Sequence, residues 1–65
     1  MRTALINRRK ELDIKQTYVA KKMNCTTRQV RRYEKGEVDV PFDLAIIWAR
    51  LLKVSMNQFK NMYIK

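Results

Sequence analysis

The residues best suited to chemistry lie in the stretch TTRQVRRYEKGE, residues 26–37, which places three arginines and a tyrosine ahead of the only glycine in the chain. A guanidinium group is planar and presents five N–H donors. It therefore matches a phosphate pair or the O6/N7 edge of guanine better than an ammonium group does. The pattern favours recognition of a polyanion. The alternative is a solvated cationic helix face, and the rest of the sequence must decide between the two.

The charge of the chain is large and unevenly distributed. The 65 residues carry 15 Lys and Arg against six Asp and Glu, a formal net charge of +9. Residues 1–35 hold 11 of the cations and three of the acids, a net +8, whereas residues 36–65 hold four and three, a net +1. This asymmetry is expected of a domain in which one half binds a polyanion and the other half, nearly neutral, holds it in place. It therefore favours contact with nucleic acid.

The composition disfavours catalysis and metal binding. There is no histidine, and Cys25 is the only cysteine. Neither a zinc site nor a nucleophile–base pair can therefore be assembled convincingly. We expect no enzymatic activity, no metal and no cofactor. A lone cysteine in a turn is more often a packed residue than a redox switch.

The same features bear on compartment and size. One cysteine cannot form an intramolecular disulfide, which favours a reducing compartment. The apolar run LAIIWA has only six residues, too few for a signal peptide or a membrane span. We therefore expect a cytoplasmic protein with no membrane partner. Its 65 residues are enough for one domain, 1–65, with a small core.

Apolar periodicity and the scarcity of Gly and Pro predict an all-α fold of five short helices. The first covers residues 3–12 and the second 16–23. The third covers 27–35, opened by a Thr26-x-x-Gln29 capping box and closed by a left-handed Gly36. The fourth begins at Pro41 and continues to residue 53, and the fifth begins with a Ser55-x-x-Gln58 capping box.

The second and third helices form a helix-turn-helix at about 16–35, because only a short turn at Asn24 separates them. Asn enters the left-handed backbone region cheaply, so it can make this turn without glycine. In such a motif the first helix braces the second, whose outer face enters the major groove of duplex DNA. Binding to structured RNA is disfavoured, because the A-form major groove excludes a helix.

At this point the sequence resembles the lambda-repressor/Cro-like (XRE-type) helix-turn-helix family. The resemblance runs from about Ile6 to Phe59. It rests on KQTYVAKKMNCTTRQVRRYEKG, residues 15–36, and on LLKVSMNQF, residues 51–59. The chain departs from the family pattern at Asn24, where glycine is usual. The resemblance implies a compact five-helix DNA-binding domain.

The resemblance also implies roles for individual residues. The positions that face base edges are Thr27, Arg28 and Arg32. Gln16 and Lys35 match phosphate contacts, and Arg9 with Glu34 matches an inward ion pair between the first and third helices. Arg31 lies one step around the helix and could exchange roles with its neighbours. The full set expected to contact or position phosphates, beside the basic first helix, is Gln16, Thr17, Tyr18, Arg31 and Lys35.

The fourth helix is apolar around more of its circumference than five short helices are expected to bury. Ile47 and Leu51 could meet Met62 and Tyr63 of a second copy across a two-fold axis, or form a surface for a regulatory protein. The alternative is that the terminal helix folds back over the fourth and hides all four side chains. Both interpretations remain open from the sequence.

The sequence therefore predicts a sequence-specific regulator that binds double-stranded DNA. A repressor of phage or bacterial Cro type, encoded in a bacterial cell or by a phage or prophage, fits best. Because one small domain reads only about half a site, we expect a homodimer on a pseudo-palindromic operator. The alternative is an interaction module, an antirepressor or adaptor, that uses the apolar fourth helix and C-terminal surface. The net charge of +8 on residues 1–35 disfavours that alternative, because an adaptor does not need such a strong positive electrostatic field.

Overall fold

A computed structural model describes the backbone of residues 2–64 and the side chains of residues 2–63. These residues form five α-helices: α1 Thr3–Glu11, α2 Gln16–Lys22, α3 Thr27–Lys35, α4 Phe42–Leu51 and α5 Met56–Ile64. No strand occurs between residues 2 and 64, so the predicted all-α fold is confirmed. No helix in this part of the chain is long and apolar enough to cross a membrane.

The first four helices end in the same backbone motif. In α4, the N–H of Lys53 donates to the carbonyl of Arg50 and the N–H of Val54 to that of Ala49, each at 3.1 Å. This pair of bonds requires a left-handed residue just beyond the helix. The four residues in that conformation are Asp13, Asn24, Gly36 and Lys53. The left-handed conformations predicted for Asn24 and Gly36 are confirmed.

The starts of α3 and α5 use side-chain caps. The N–H of Gln29 donates to Thr26 Oγ1 at 3.1 Å. The Gln29 side chain does not complete the predicted box, because its Nε2 lies 3.4 Å from the Tyr33 hydroxyl. At α5 the box is complete, since Ser55 N donates to Gln58 Oε1 at 3.0 Å and Gln58 N to Ser55 Oγ at 3.2 Å. Local sequence therefore determines where both helices begin.

The predicted limits of α4 were wrong at both ends. Pro41 lies before the helix, with φ −57° and ψ 148°, and caps it without belonging to it. At the other end the helix stops at Leu51, because Lys53 adopts a left-handed φ of 58° that no α-helix can accommodate. The first and second helices each end one residue earlier than predicted.

The core lies where all five helices meet, around Trp48. This side chain is fully buried and packs against Tyr33 and Phe59, with ring centroids 6.2 and 5.9 Å apart. Tyr63 continues the aromatic row by stacking on Phe59 at 6.0 Å. Such tilted and offset ring pairs stabilise a core beyond the area that they bury.

The helix α5 packs on both α1 and α4. Ile47, Leu51, Met62 and Tyr63 are all half-buried and pack against the core. Half-buried side chains of this kind remain within reach of a partner, so their placement agrees with both alternatives. The large hydrophobic side chains that are exposed among the described residues are Phe42 and Tyr18.

Candidate nucleic-acid interface

The helices α2 and α3 pack directly on each other and are joined by a turn of four residues, 23–26. Their facing sides are apolar. Val19 and Ala20 of α2 are buried, as are Val30 and Tyr33 of α3. The left-handed Asn24 reverses the chain between them. This arrangement is a helix-turn-helix, in which α2 supports α3 and leaves the opposite side of α3 free.

The outer side of α3 is cationic along its whole length. The exposed side chains on it are Arg28, Arg31, Arg32 and Lys35. Thr27, at the start of the helix, is half-buried. Four cations on this one nine-residue helix form a surface that suits the negative potential of a nucleic-acid groove.

Arg32 has a carboxylate beside it in this structure. Its Nε lies 3.5 Å from Glu37 Oε1, and both side chains are about half exposed. An exposed ion pair of this kind contributes little to stability. The side chain of Arg32 can therefore exchange Glu37 for a base edge or a phosphate at small cost.

A buried polar network fixes α3 to the two preceding helices. Arg9 Nε donates to Glu34 Oε2 at 2.6 Å, and Gln16 Nε2 donates to Glu34 Oε1 at 2.8 Å. Arg9 also donates to the carbonyl of Ile14 at 2.9 Å. Each buried charge therefore has a partner, which is the condition for tolerating it. One N–H of the Gln16 amide remains for another acceptor, because that amide carries two donors.

The beginning of α2 lies beside this network. Thr17 and Tyr18 follow Gln16 and are exposed, and Lys22 Nζ lies 5.5 Å from the centre of the Tyr18 ring. A hydroxyl on each of Thr17 and Tyr18 can donate to a phosphate oxygen.

The basic first helix contributes less exposed charge than the sequence indicated. Arg9 is buried in the network, and Arg8 is half-buried, with its Nε donating to the carbonyl of Leu52 at 3.0 Å. Arg2 precedes the helix and is also buried. Of the four cations between residues 2 and 10, Lys10 alone is exposed.

Arg2 is the residue that sequence reasoning missed. Its Nη1 donates to the carbonyls of Tyr33 and Val38 at 2.7 and 2.9 Å. Its Nε donates to the carbonyl of Tyr63 at 3.1 Å, and its guanidinium carbon lies 3.9 Å from the centre of that ring. These partners are 31 to 61 residues away in the chain, so no local pattern could identify them. Arg2 holds the end of α3 in place.

Cys25 lies half-buried in the turn between α2 and α3. Burial disfavours the thiolate and raises the pKa of the thiol above its ordinary value. A reactive cysteine needs the opposite shift. The environment is that of a packed residue. No group of three or more His, Cys, Asp or Glu side chains that could hold a metal ion occurs in the described part of the chain.

The fold and this surface define a DNA-binding regulator with a helix-turn-helix. A helix-turn-helix family model matches residues 5–59, most of the chain. The protein belongs to the lambda-repressor/Cro-like (XRE-type) helix-turn-helix family, as the sequence predicted. It is accordingly a DNA-binding transcription regulator of XRE type, a class whose fold is not enzymatic. Comparisons with curated proteins and with solved structures gave no significant match.

Proposed function

We propose that the protein is a sequence-specific repressor of phage or bacterial Cro type, which acts by occupying an operator in double-stranded DNA. The observation that carries the proposal is the row of four exposed cations on α3, held outward by the buried network of Arg9, Gln16 and Glu34. A recognition helix must keep its orientation to within a small angle for side chains to reach base edges. The network supplies that rigidity.

In this proposal α3 lies in the major groove, where Thr27, Arg28 and Arg32 read bases. A bidentate arginine on guanine discriminates against the wrong base by roughly 1–3 kcal/mol. Phosphate contacts would set the register of the helix on the duplex without selecting sequence. The residues proposed for them are Gln16, Thr17, Tyr18, Arg31 and Lys35.

The proposed protein binds as a homodimer. One recognition helix covers only a few base pairs, so two half-sites about one helical turn apart are needed for specificity at physiological salt. The proposed two-fold contact is made by Ile47 and Leu51 of α4 with Met62 and Tyr63 of α5 of the second copy.

An interaction module is the second candidate. It is favoured by an apolar groove of about 340 Å³ between α4 and α5, beside the exposed ring of Phe42. A regulator or antirepressor could occupy this groove. That activity would not require the cationic face of α3.

Selection of a randomised duplex library by the purified protein at about 0.15 M salt tests the proposal. We expect an enriched motif with two-fold symmetry, which is lost with an Arg28→Ala/Arg32→Ala variant that retains the helical circular dichroism of the wild type. A Lys60→Ala variant on α5 serves as the control and should recover the wild-type motif. Recovery without a consensus would contradict the base-reading role and favour the interaction module.

A further inference from the structure

A groove of about 770 Å³ separates the C-terminal ends of α1 and α4 and is closed on a third side by α2. The apolar part of its lining is formed by three half-buried side chains, Leu12, Ile14 and Leu51, and by the exposed ring of Tyr18. The two helix ends are tied together, because Arg8 Nε donates to the carbonyl of Leu52 at 3.0 Å. The groove is therefore a fixed feature of the fold.

The border of this groove is cationic. Its four cations are Lys15, Lys21, Arg50 and Lys53, and all four side chains are exposed. With the carboxylate of Asp13, also in the lining, the local net charge is +3. Lys53 stands out because it adopts a left-handed φ of 58°, which glycine would adopt without strain. A lysine at this position has a backbone cost that a function of the groove would explain.

The complementary surface is a segment of the same chain. Residues 37–43, EVDVPFD, contain three of the six acids, Glu37, Asp39 and Asp43, and no Lys or Arg, so their formal net charge is −3. Two of these acids, Glu37 and Asp39, pair with Arg32 and Arg2 of the same molecule. Phe42 projects from this segment with 73% of its surface exposed. Asp39 retains 92% exposure of its side chain although it contacts Arg2. The segment thus combines an apolar ring with exposed negative charge.

The segment and the groove lie at opposite ends of α4, which is about 15 Å long. They cannot meet within one molecule. We propose that residues 37–43 of one copy dock into the α1–α2–α4 groove of a second copy, with Phe42 against the apolar lining and the acids facing the lysines. The contact is heterologous, so each bound copy still presents one free segment and one free groove. Copies therefore assemble head to tail.

A second copy fits this groove better than a phosphate chain does. Phosphates need cations but have no use for the apolar lining of Leu12, Ile14 and Leu51, which a phenylalanine ring would cover. The opposite signs of charge on the segment and on the groove border would steer the encounter between copies and favour one orientation. The groove lies apart from the recognition face of α3, but it shares Thr17 and Tyr18 with the proposed phosphate contacts and Leu51 with the proposed two-fold contact. The inference does not rest on the proposed operator binding.

Two variants that each remove one side of the contact test the inference by sedimentation. Phe42→Ala/Asp43→Asn alters the segment and leaves the groove intact. Lys21→Glu/Arg50→Glu reverses charge at the groove and leaves the segment intact. All of these positions are exposed, and thermal melting checks that both variants remain folded. We expect the wild type to associate with increasing concentration, and less so in high salt.

Each variant alone should self-associate at least about tenfold more weakly than the wild type. Their equimolar mixture should form a one-to-one complex that grows no further, because one intact segment and one intact groove remain. A wild type that is monomeric at about 1 mM would overturn the proposal, since specific contacts of even low affinity are populated there. Absence of a complex in the mixture would overturn it too. Equal self-association of the wild type and of both variants would also overturn it and would indicate a symmetric dimer, because neither variant alters the proposed two-fold contact.

A DNA-binding measurement separates the groove from a phosphate site. The control is Asn57→Glu/Lys60→Glu/Asn61→Glu at exposed positions of α5, which changes the net charge by the same amount outside the groove. Single-site duplex affinity should fall equally for the groove variant and the control, because only the long-range field changes. A further tenfold loss in the groove variant would assign the groove to DNA and overturn the proposal.

Discussion

The arginines of this chain have two different roles, as exposed side chains on α3 and as buried structural side chains. The neighbouring residues in the sequence do not reveal which role each arginine has. Arg28, Arg31 and Arg32 are exposed on α3, whereas Arg2 and Arg9 are buried and fully engaged. Arg9 has the carboxylate of Glu34 as its counter-ion. Arg2 relies mainly on carbonyl oxygens and the face of Tyr63, with only the exposed Asp39 as a charged partner. A guanidinium can do this because its five donors satisfy several acceptors at once.

Arg2→Ala should lower the free energy of unfolding by roughly 2–4 kcal/mol, because the carbonyls of Tyr33 and Val38 would lose their charged donor in a buried position. Chemical denaturation measured by circular dichroism checks this value. Lys10→Ala is the matched control on α1. Its exposed side chain should matter by no more than about 0.5 kcal/mol. Equal small losses in both variants would mean that Arg2 does not brace the fold.

At the scale of the helices, the four shared C-terminal motifs differ in their backbone cost. Gly36 adopts its φ of 81° freely, and Asn24 adopts the left-handed region at small cost. Lys53 has no such advantage. The left-handed conformation costs an ordinary residue roughly 1–2 kcal/mol. Replacement by glycine removes this cost, but part of the gain in stability is lost because glycine raises the conformational entropy of the unfolded chain.

Lys53→Gly should therefore raise the free energy of unfolding by roughly 0.5–1 kcal/mol. Lys60→Gly, in the middle of α5, is the matched control and should lower it by about 1 kcal/mol, because glycine weakens a helix interior. Both values follow from thermal melting. A Lys53→Gly protein that is no more stable than the wild type would show that the left-handed backbone costs little in this turn.

Sequence alone could predict the helices because their signals are local. Thr26, Asn24, Gly36 and Ser55 each act on a backbone within a few residues, and the structure has caps or left-handed turns at all four. The C-terminal end of α4 was not predicted, since lysine is a good helix former and its side chain does not signal the left-handed conformation that Lys53 adopts. The burial of Arg2 was equally inaccessible, because it depends on α3, α5 and the segment between α3 and α4.

The candidate site shows the same division. That α3 is cationic followed from counting its residues, and that it belongs to a helix-turn-helix followed from the spacing of its neighbours. Two side-chain contacts could not be predicted from the sequence: the ion pair between Arg32 and Glu37, and the hydrogen bond from Gln16 to Glu34. Each joins side chains whose rotamers depend on tertiary packing. The sequence also overstated the exposed apolar area of α4, since Ile47 and Leu51 are half-buried against the core while Phe42 stays exposed.

For the whole molecule, burial redistributes the charge that binding can use. Of the 11 cations in residues 1–35, Arg2 and Arg9 are buried and Arg8 is half-buried, so eight remain exposed. Lys15 and Lys21 of these eight border the α1–α2–α4 groove. The cations of α3 thus make up half of the exposed positive charge of this region.

If each subunit neutralises roughly four to six phosphates, log affinity should fall with log salt concentration at a slope on the order of −4 per subunit. Fluorescence anisotropy titrations of one labelled duplex at several salt concentrations measure this slope. Lys35→Ala should make it shallower by about 1 and weaken all sequences alike, because a phosphate contact carries no base information. Lys60→Ala, on α5, should leave the slope within about 0.3 of the wild type. A wild-type slope near −1 would mean that α3 does not lie along the phosphate backbone, whatever its exposed charge.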